Sequence, residues 1–280
     1  MKKEENNHTV SLMSRLLGVS RSGYYKWKNI PMSTRKQKRQ IVKTAVEKTY
    51  SIFRARYGAP RLHMELNSQG ISCSLNHVAK LLNESGLRAR NGKNFRYSRT
   101  GQSMQNVKEN LLRRKFKAEE PNSKWTSDIT YIWVNGKWAY LAAVMDLYSR
   151  VIVGWSLAKD MTEQLISDAF RMALGRRKVS GELLVHSDRG VQYRSNGYQE
   201  MLESYGCRIS MSRKSNCWDN AAMESFFSRL KVELIYAEKF ETFEEVKLAL
   251  FEYIEIFYNR QRRHSAIGYI SPYQFEASCT

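Results

Sequence analysis

Aspartate is absent from the first 120 residues of this 280-residue chain, and proline, cysteine and long apolar runs are scarce throughout. No apolar run approaches the roughly 18 residues that a membrane-spanning helix needs, and the polar opening MKKEENNHTV is unlike a signal peptide. We therefore expect a cytoplasmic protein with no membrane partner. The cysteines lack CxxC spacing and share no metal-ligand pattern with the histidines, which argues against a zinc module or a disulfide framework.

The missing aspartates leave the first part of the chain strongly basic. Residues 1–120 hold 26 Lys and Arg against eight Glu, a net charge of +18, whereas residues 121–280 hold 20 against 19 acidic residues. A basic block with apolar patterning indicates folded modules that bind a polyanion. A solvated basic face is the alternative, but so complete a segregation of charge favours nucleic acid as the partner.

Two helical pairs are predicted within the basic part. In residues 9–27, apolar residues at helical spacing precede the break GVS, and Ser20 is a good N-cap for a second helix. This is the helix-turn-helix pattern, in which the second helix would present basic and aromatic groups to a DNA groove: Arg21, Tyr24 and Lys26. Residues 60–87 repeat the pattern, although each pair also fits a plain αα-hairpin.

These patterns divide the chain into four predicted segments. A helix-turn-helix with a basic helix occupies 1–56, and a second helix-turn-helix-like unit occupies 57–87. Residues 88–120 are predicted to be a basic connector that lies along phosphates in a complex and is mobile without them. Residues 121–280 form the remaining domain, with helices at its C-terminal end.

The last segment has the element order of an α/β domain. Three successive strands are predicted, followed by alternating helices and strands, with the strands at 124–134, 138–146, 150–157, 183–188 and 208–212. A three-strand antiparallel meander followed by this alternation predicts a sheet covered on both faces, of the ribonuclease H kind.

Three carboxylates of this domain occupy positions that are costly for an unpaired charge. Asp128 lies within the first strand, and Asp188 ends the apolar strand LLVHSD. Glu224 borders the apolar stripe of a helix, whereas Glu233 lies on another face. The alternative for Glu224 is a half-exposed acid paired with a neighbour on its own helix.

One explanation covers all three acids if the first strand is central and the LLVHSD strand is its neighbour. The carboxylates then converge at the edge of the sheet, where each raises the pKa of the others. Divalent cations with hard oxygen ligands, magnesium above all, reverse that balance and leave room for phosphate and water. Two such ions, roughly 3.5 to 4 Å apart, can hold the attacking and leaving oxygens of a phosphoryl transfer.

The segments WTSDITYI, HSDRGVQY and DNAAMESFFSRLK resemble the acidic-triad (DDE) motifs of integrase-core transposases, of the OrfB type found in two-frame bacterial insertion sequences. Asp188 and Glu224 have 35 intervening residues, and Lys231 follows Glu224 by seven, as in that family. The likeness extends to the opening GVSRSGYYKW and the closing YNRQRRHSAIGYISPYQF, and so covers nearly the whole chain.

The resemblance implies roles for individual residues. Asp128, Asp188 and Glu224 would be catalytic ligands of Mg²⁺, a pair of ions in the family's pattern, with Mn²⁺ as a substitute. Lys231 would contact DNA near the cleaved phosphate. Two neighbours of the triad, His186 and Asn220, would orient ligands or water, or serve packing alone. Asp146 is predicted to form a turn with Ser149 or Arg150 instead of binding metal.

The resemblance also implies the reaction and the partners. Water would cleave the end of the element, and the freed 3′-hydroxyl would attack a second phosphodiester in strand transfer. The DNA partners would be the terminal inverted repeats and the target, held by a homo-multimer, with the OrfA product or an OrfA–OrfB fusion as a further partner. The protein would work in the bacterial cytoplasm, at the nucleoid when bound. A non-catalytic repressor and a ribonuclease H type nuclease are the alternatives.

Overall fold

The computed structural model describes residues 1–90, 106–214 and 216–278. The chain forms two compact units, Met1–Arg88 and Ala89–Thr280. The first unit is helical and the second contains a mixed sheet, which confirms the predicted fold class. None of the helices in the described ranges is both long and apolar enough to cross a membrane.

Five helices build the first unit, and capping residues explain where they begin and end. Thr9 and Ser20 accept hydrogen bonds from backbone N–H groups in the first turns of the first two helices, and Gly18, at φ 64°, ends the first helix in the left-handed region. The helices are α1 (Val10–Leu17), α2 (Arg21–Lys28), α3 (Thr34–Ile52), α4 (Ala59–Ser68) and α5 (Leu75–Glu84).

The long basic helix α3 packs with α4 and α5. Its residues Val42 and Val46 are buried, as are Leu62 and Leu66 of α4 and Leu81 of α5. The boundary predicted between 56 and 57 therefore cuts through a packed three-helix group. In the sequence, α3 was identified by its basic residues. In the structure, Val42 and Val46, one turn apart, are the residues through which α3 packs on α4 and α5.

The second unit is built on a five-stranded sheet of order β3-β2-β1-β4-β5. The first three strands form the predicted antiparallel meander, and β4 and β5 join it in parallel. The central strand is β1, as the convergence of the acids requires. The strands are β1 (Lys124–Val134), β2 (Lys137–Asp146), β3 (Ile152–Ala158), β4 (Leu184–Ser187) and β5 (Arg208–Met211).

In the described part of this unit, five α-helices accompany the sheet. Trp125 of β1 and Phe170 belong to the buried core between the sheet and two of these helices, α6 and α7. A side chain at Gly154 of β3 would overlap the Ala169 carbonyl oxygen, so glycine permits the close approach of α6. The helices are α6 (Glu163–Arg176), α7 (Asn196–Ser204), α8 (Ala221–Leu230), α9 (Phe243–Phe251) and α10 (Pro272–Ser278).

Part of the predicted connector belongs to the catalytic unit. Within 88–120, residues 91–105 lie outside the described residues. From Asn106 onward the chain packs along β5: Leu111 N and Leu112 N donate to Ser210 Oγ at 2.9 and 3.1 Å, and Leu112 is buried. The expectation of a mobile connector is therefore wrong for 106–120. These hydrogen bonds join residues far apart in the chain, and local sequence does not encode such bonds.

A buried ion pair joins the end of α8 to the C-terminal region. Glu233 and Arg262 are each 2% exposed, and the guanidinium donates to both carboxylate oxygens, at 2.7 and 3.0 Å. Tyr253 Oη also donates to Glu233, at 2.9 Å. The prediction that Glu233 lies on a separate face missed this burial, because its partners come from later in the chain. Glu233 lies in a π-helical turn, Lys231–Ile235, that continues α8.

Replacing Arg262 with Met should lower the free energy of unfolding by about 3–5 kcal/mol, because it leaves the Glu233 carboxylate buried without its cation. The matched control is Arg208→Met, which removes a pair with Glu182 whose side chains are 52% and 63% exposed. That change should cost less than about 1 kcal/mol. Urea titration followed by tryptophan fluorescence measures both, and equal losses would contradict a stabilising role for the buried pair.

Candidate active site

Strand pairing brings the first two carboxylates together. β1 and β4 run parallel, with Trp125 paired to Val185 and Thr126 to His186. Continuing this register by two residues places Asp188 opposite Asp128. The carboxyl ends of parallel strands meet at the same edge of a sheet, and the charge of Asp188 acts on Asp128, as expected for two neighbouring carboxylates.

Backbone groups hold one oxygen of each aspartate. Asp128 Oδ1 accepts a hydrogen bond from Ile129 N at 2.8 Å, and Asp188 Oδ1 accepts one from Gly190 N at 2.8 Å. A Cβ at Gly190 would lie 3.0 Å from Asp188 Oδ1, which is tighter than an ordinary contact. The turn after β4 therefore favours glycine at this position, and it fixes the direction of the Asp188 carboxylate.

The helix that carries Glu224 packs as its sequence predicts. Met223, Phe226, Phe227 and Leu230 are buried, and Glu224 is half-buried at the edge of this stripe. Among the residues that the structure describes, no hydrogen bond or ion pair holds the Glu224 carboxylate. The alternative in which Glu224 pairs with a neighbour on its own helix therefore gains no support.

Asn220 connects the start of this helix to the strand that carries Asp128. Thr126 Oγ1 donates to Asn220 Oδ1 at 2.6 Å, and Asn220 Nδ2 donates to the Ser127 carbonyl oxygen at 3.4 Å. Asn220 is 4% exposed, so these bonds form out of water. Its contacts are with β1, so it ties the helix of Glu224 to the strand of Asp128.

The preceding residue anchors the same turn from the other side. Asp219 is fully buried and accepts hydrogen bonds from Arg213, Arg114 and Asn110, at 2.8 to 2.9 Å. The Arg213 hydrogen bonds hold the pKa of Asp219 well below its usual range. Nothing in the sequence pattern singled out Asp219, because two of its partners, Arg114 and Asn110, are distant in the chain.

Burial and mutual repulsion govern the charges at the sheet edge. Burial raises the pKa of Asp128 well above its usual value, and the negative charges of Asp188 and Glu224 raise it further. Burial also raises the pKa of Asp188 and that of Glu224. Lys231 is half-buried, and its positive charge acts in the opposite direction on the pKa of Asp128. The three acids and Lys231 thus share one electrostatic environment centred on Asp128.

His186 is engaged within the sheet. Its two ring nitrogens lie 2.8 Å from Ser210 Oγ and 3.2 Å from Ser212 Oγ, and the residue is fully buried. Burial lowers the pKa of His186 to about 4, so the imidazole is neutral at neutral pH. These contacts link β4 to β5 and fit the packing alternative; within the described ranges His186 contacts none of the three carboxylates.

A tyrosine that the sequence reasoning did not select also lies beside the triad. Tyr193 is 1% exposed, and its hydroxyl lies 2.9 Å from Ser127 Oγ, next to Asp128 in β1. The negative charge of Asp128 contributes, after burial, to a raised pKa of Tyr193. The sequence feature that could have identified Tyr193 is its position in the segment HSDRGVQY, which also contains Asp188.

The structure places Asp146 in a turn, as predicted. Its carboxylate accepts hydrogen bonds from Asn122 N at 2.8 Å and Tyr148 N at 3.0 Å, and its carbonyl oxygen accepts one from Arg150 N at 2.8 Å. Burial raises the pKa of Asp146 to about 6. Both carboxylate oxygens accept hydrogen bonds from backbone N–H groups, which explains why Asp146 is buried although it lies outside the triad.

Tyr24 is not available for the DNA contact predicted for it. Tyr24 is only 7% exposed and packs inside the first unit, so it cannot present its ring to a groove. Arg21 and Lys26, on the same helix α2, are exposed. At helical spacing the residue three positions from Arg21 faces inward, and the aromatic character of Tyr24 obscured its role in the core.

The donor set at the sheet edge fits a divalent cation. Asp128, Asp188 and Glu224 supply hard oxygen ligands, and the negative charges of Asp188 and Glu224 add to burial in raising the pKa of Asp128. In the described ranges no three such side chains already enclose a single ion site.

The fold and the site together define a ribonuclease H-like polynucleotidyl transferase preceded by a helical helix-turn-helix region. Two integrase core domain models match residues 118–217 and 224–278, and an HTH-like domain model matches 36–94. The last match begins in α3, in agreement with the packing of α3 on α4 and α5.

Similar proteins identify the family. The transposase InsF for insertion sequence IS3A of Escherichia coli (strain K12) is 45% identical over 278 residues, covering 99% of this chain and 96% of that protein. An uncharacterized 31 kDa protein of insertion element IS600 from Shigella sonnei is 40% identical over 263 residues, covering 94% and 97% respectively. This chain belongs to the InsF family of insertion-sequence transposases, and it is a DNA transposase.

A weaker likeness is found among solved structures. The catalytic core domain of HTLV-2 integrase, in complex with magnesium, is 18% identical, with a TM-score of 0.44, and the match covers 57% of this chain and 99% of that chain.

The contacts of Asn220 generate a prediction. Asn220→Ala should lower DNA cleavage about 10- to 100-fold and raise the magnesium concentration needed for half-maximal rate, because the Glu224 helix loses its tie to β1. The control is Asn259→Ala, since Asn259 is equally buried and bonds Ile152 of β3 at 2.9 and 3.0 Å. The control should lose stability without a shift in magnesium dependence. If both variants change the magnesium dependence equally, the contact between Asn220 and β1 has no specific role in metal binding.

Proposed function

We propose that Asp128, Asp188 and Glu224 are the metal ligands and catalytic residues with which this transposase cleaves the ends of its element and joins them to target DNA. The observation that carries the proposal is the parallel pairing of β1 with β4, which brings Asp188 to Asp128, and the charges of Asp188 and Glu224 then both act on Asp128. Three carboxylates at one sheet edge are costly unless a cation joins them.

The cofactor in this proposal is Mg²⁺, with Mn²⁺ as a substitute, and two ions are bound. When bound, the ions supply charge neutralisation at the attacking and leaving oxygens of the phosphoryl transfer. Asp128 and Asp188 hold fixed positions, because each has one oxygen bonded to backbone N–H. Glu224 completes the set from a helix whose position relative to β1 depends on Asn220.

Lys231 is proposed to bind the DNA backbone beside the cleaved phosphate. It begins the π-helical turn after α8, close enough to Asp128 for the two charges to interact. Burial lowers the pKa of Lys231 and the charge of Asp128 raises it. A half-buried ammonium beside the acids suits a phosphate contact that positions the DNA for reaction.

The first unit is proposed to grip DNA through exposed basic residues of α2, namely Arg21 and Lys26. The DNA would be the terminal inverted repeats of the element and, during strand transfer, the target. The excess of positive charge in residues 1–120 supports a large phosphate-binding surface. Base-edge contacts would come from the same helix, which follows the turn of the predicted helix-turn-helix.

Assembly and location complete the proposal. Both ends of an element must be held together, so the enzyme acts as a homo-multimer on DNA, in the bacterial cytoplasm at the nucleoid. An OrfA product, or an OrfA–OrfB fusion, is a further partner. Leu16 and Leu17 of α1 are 76% and 62% exposed, and such apolar side chains support a protein contact in this region.

Changing Glu224 to Gln tests the metal site. The substitution keeps size and hydrogen bonding but removes one anionic ligand, so end cleavage and strand transfer should both fall at least about 1,000-fold. DNA binding should stay within about twofold, because the exposed basic residues are unchanged. Gel assays with labelled ends and magnesium measure the two reactions, and anisotropy measures binding.

The matched control for that test is Asp146→Asn, since Asp146 is also a buried acid of the sheet but binds backbone only. It should retain activity per folded molecule. Strand transfer by Glu224→Gln from a pre-cleaved end would sink the three-ligand proposal, and a fully active Asp188→Asn would do the same.

Lys231 is tested by a pair of substitutions. Lys231→Ala should weaken binding of the element's end about 5- to 30-fold in magnesium-free buffer, the loss expected for one or two charge-assisted hydrogen bonds, whereas Lys231→Arg should retain most of the affinity. Neither change should move the midpoint of urea unfolding by much. A large loss of stability with normal activity per folded molecule would favour a structural role for Lys231.

A further inference from the structure

Trp218 is the most exposed aromatic side chain among the described residues, at 68%. It lies in the 3₁₀ turn Cys217–Asn220 that leads directly into α8. Exposed tryptophans are costly for solubility, and one at the border of an active site calls for a ligand. Neither the proposed metal chemistry nor the phosphate contact of Lys231 uses this indole.

The turn that displays Trp218 is held by the two residues that follow. Asp219 is buried under hydrogen bonds from Arg213, Arg114 and Asn110, and Asn220 is bonded to Thr126 and Ser127 of β1. Both anchors are buried, at 0% and 4% exposure. The backbone beside Trp218 is therefore fixed, so the ring is presented to solvent from a rigid support.

The same contacts join the turn of Trp218 to the proposed active site. Asn220 lies two residues after Trp218, four before Glu224, and within 2.6 Å of the threonine that precedes Asp128 by two positions in β1. The exposed indole is therefore carried by the turn that ties the Glu224 helix to the strand of Asp128.

The surroundings of Trp218 are basic. The guanidinium groups of Arg114 and Arg213 share the single carboxylate of Asp219, and their side chains remain 44% and 55% exposed. Lys214 is also exposed. Two guanidinium groups beside one carboxylate leave a net positive charge. This charge suits the phosphates that flank a base rather than an apolar protein surface.

We infer that Trp218 stacks on an unpaired base next to the scissile phosphate and so holds the end of the element open in the active site. The inference rests on the proposed function. An indole can stack on any base, because every base has a π-face, so the contact sets the geometry of the DNA end without reading its sequence. Unpairing the last base pair frees the strand to bend toward the carboxylates.

The test is a double-mutant cycle between protein and DNA. The full chain is titrated, with Ca²⁺ in place of Mg²⁺, against a labelled duplex of the terminal inverted repeat that flanks the reading frame. Each base beside the scissile phosphate is replaced in turn by an abasic site. The variants are Trp218→Ala and Trp218→Phe, and the control is Trp138→Ala, which removes a tryptophan that is 51% exposed in the β1–β2 hairpin.

Trp218→Ala should lower affinity for the intact end about 5- to 100-fold, the range expected for one base stacked on an aromatic ring. One of the two abasic sites should lower the affinity of the unchanged protein similarly, and the two losses should not add. Trp218→Phe should keep most of the affinity, and Trp138→Ala should leave the cycle unchanged. A mismatched terminal pair should partly restore cleavage by Trp218→Ala in magnesium.

Additive losses, or an unchanged protein that tolerates both abasic sites, would overturn the inference while leaving the proposed metal site intact. The abasic arm uses the unchanged protein, so it decides the matter even if a Trp218 variant folds poorly. The binding cycle needs no catalysis. Failure of the unchanged protein to cleave in magnesium would therefore count against the proposed function and not against the stacking.

Discussion

The parallel pairing of β1 with β4 is the constraint on which the active site depends. It places Asp188, which follows the end of β4, beside Asp128 of the central strand β1. The antiparallel β2 and β3 lie on one side of β1, and the parallel β4 and β5 lie on the other. A register shift of one residue would turn one carboxylate to the opposite face, so strand register and catalytic competence are fixed together.

The third carboxylate depends on side-chain bonds, because Glu224 comes from a helix outside the sheet. The helix is buried along its aromatic stripe, yet apolar packing alone would allow it to slide or rotate by a fraction of a turn. Asn220 and Asp219 remove that freedom from opposite sides, one bonded to β1 and the other to two arginines. Apolar burial supplies the free energy of packing, and these directional bonds set the position of Glu224 relative to Asp128.

The features that the sequence predicted are those with a local signal. The meander, the apolar stripe of α8 and the acids in costly places follow from periodicity and composition, and the resemblance added Lys231 and the reaction. The features missed depend on distant partners: Glu233 looked exposed until Arg262 covered it, and residues 106–120 looked like a connector until Ser210 bound them. The DNA contact predicted for Tyr24 was missed for another reason, because a tyrosine in a short amphipathic helix can equally well be a core residue or a residue that contacts a ligand.

The buried pair of Glu233 and Arg262 explains how the chain beyond α8 keeps its place. The backbone there widens into a π-helical turn, which begins at Lys231 and would be poorly held by helical hydrogen bonds alone. Arg262 and Tyr253 fix the side chain of Glu233, and Arg90 donates to its carbonyl oxygen at 2.7 Å. Arg90 stands near the start of the catalytic unit, so the chain entering this unit and its C-terminal region meet at one turn. Lys231 is thereby held between that turn and the Glu224 helix, and its positive charge acts on Asp128.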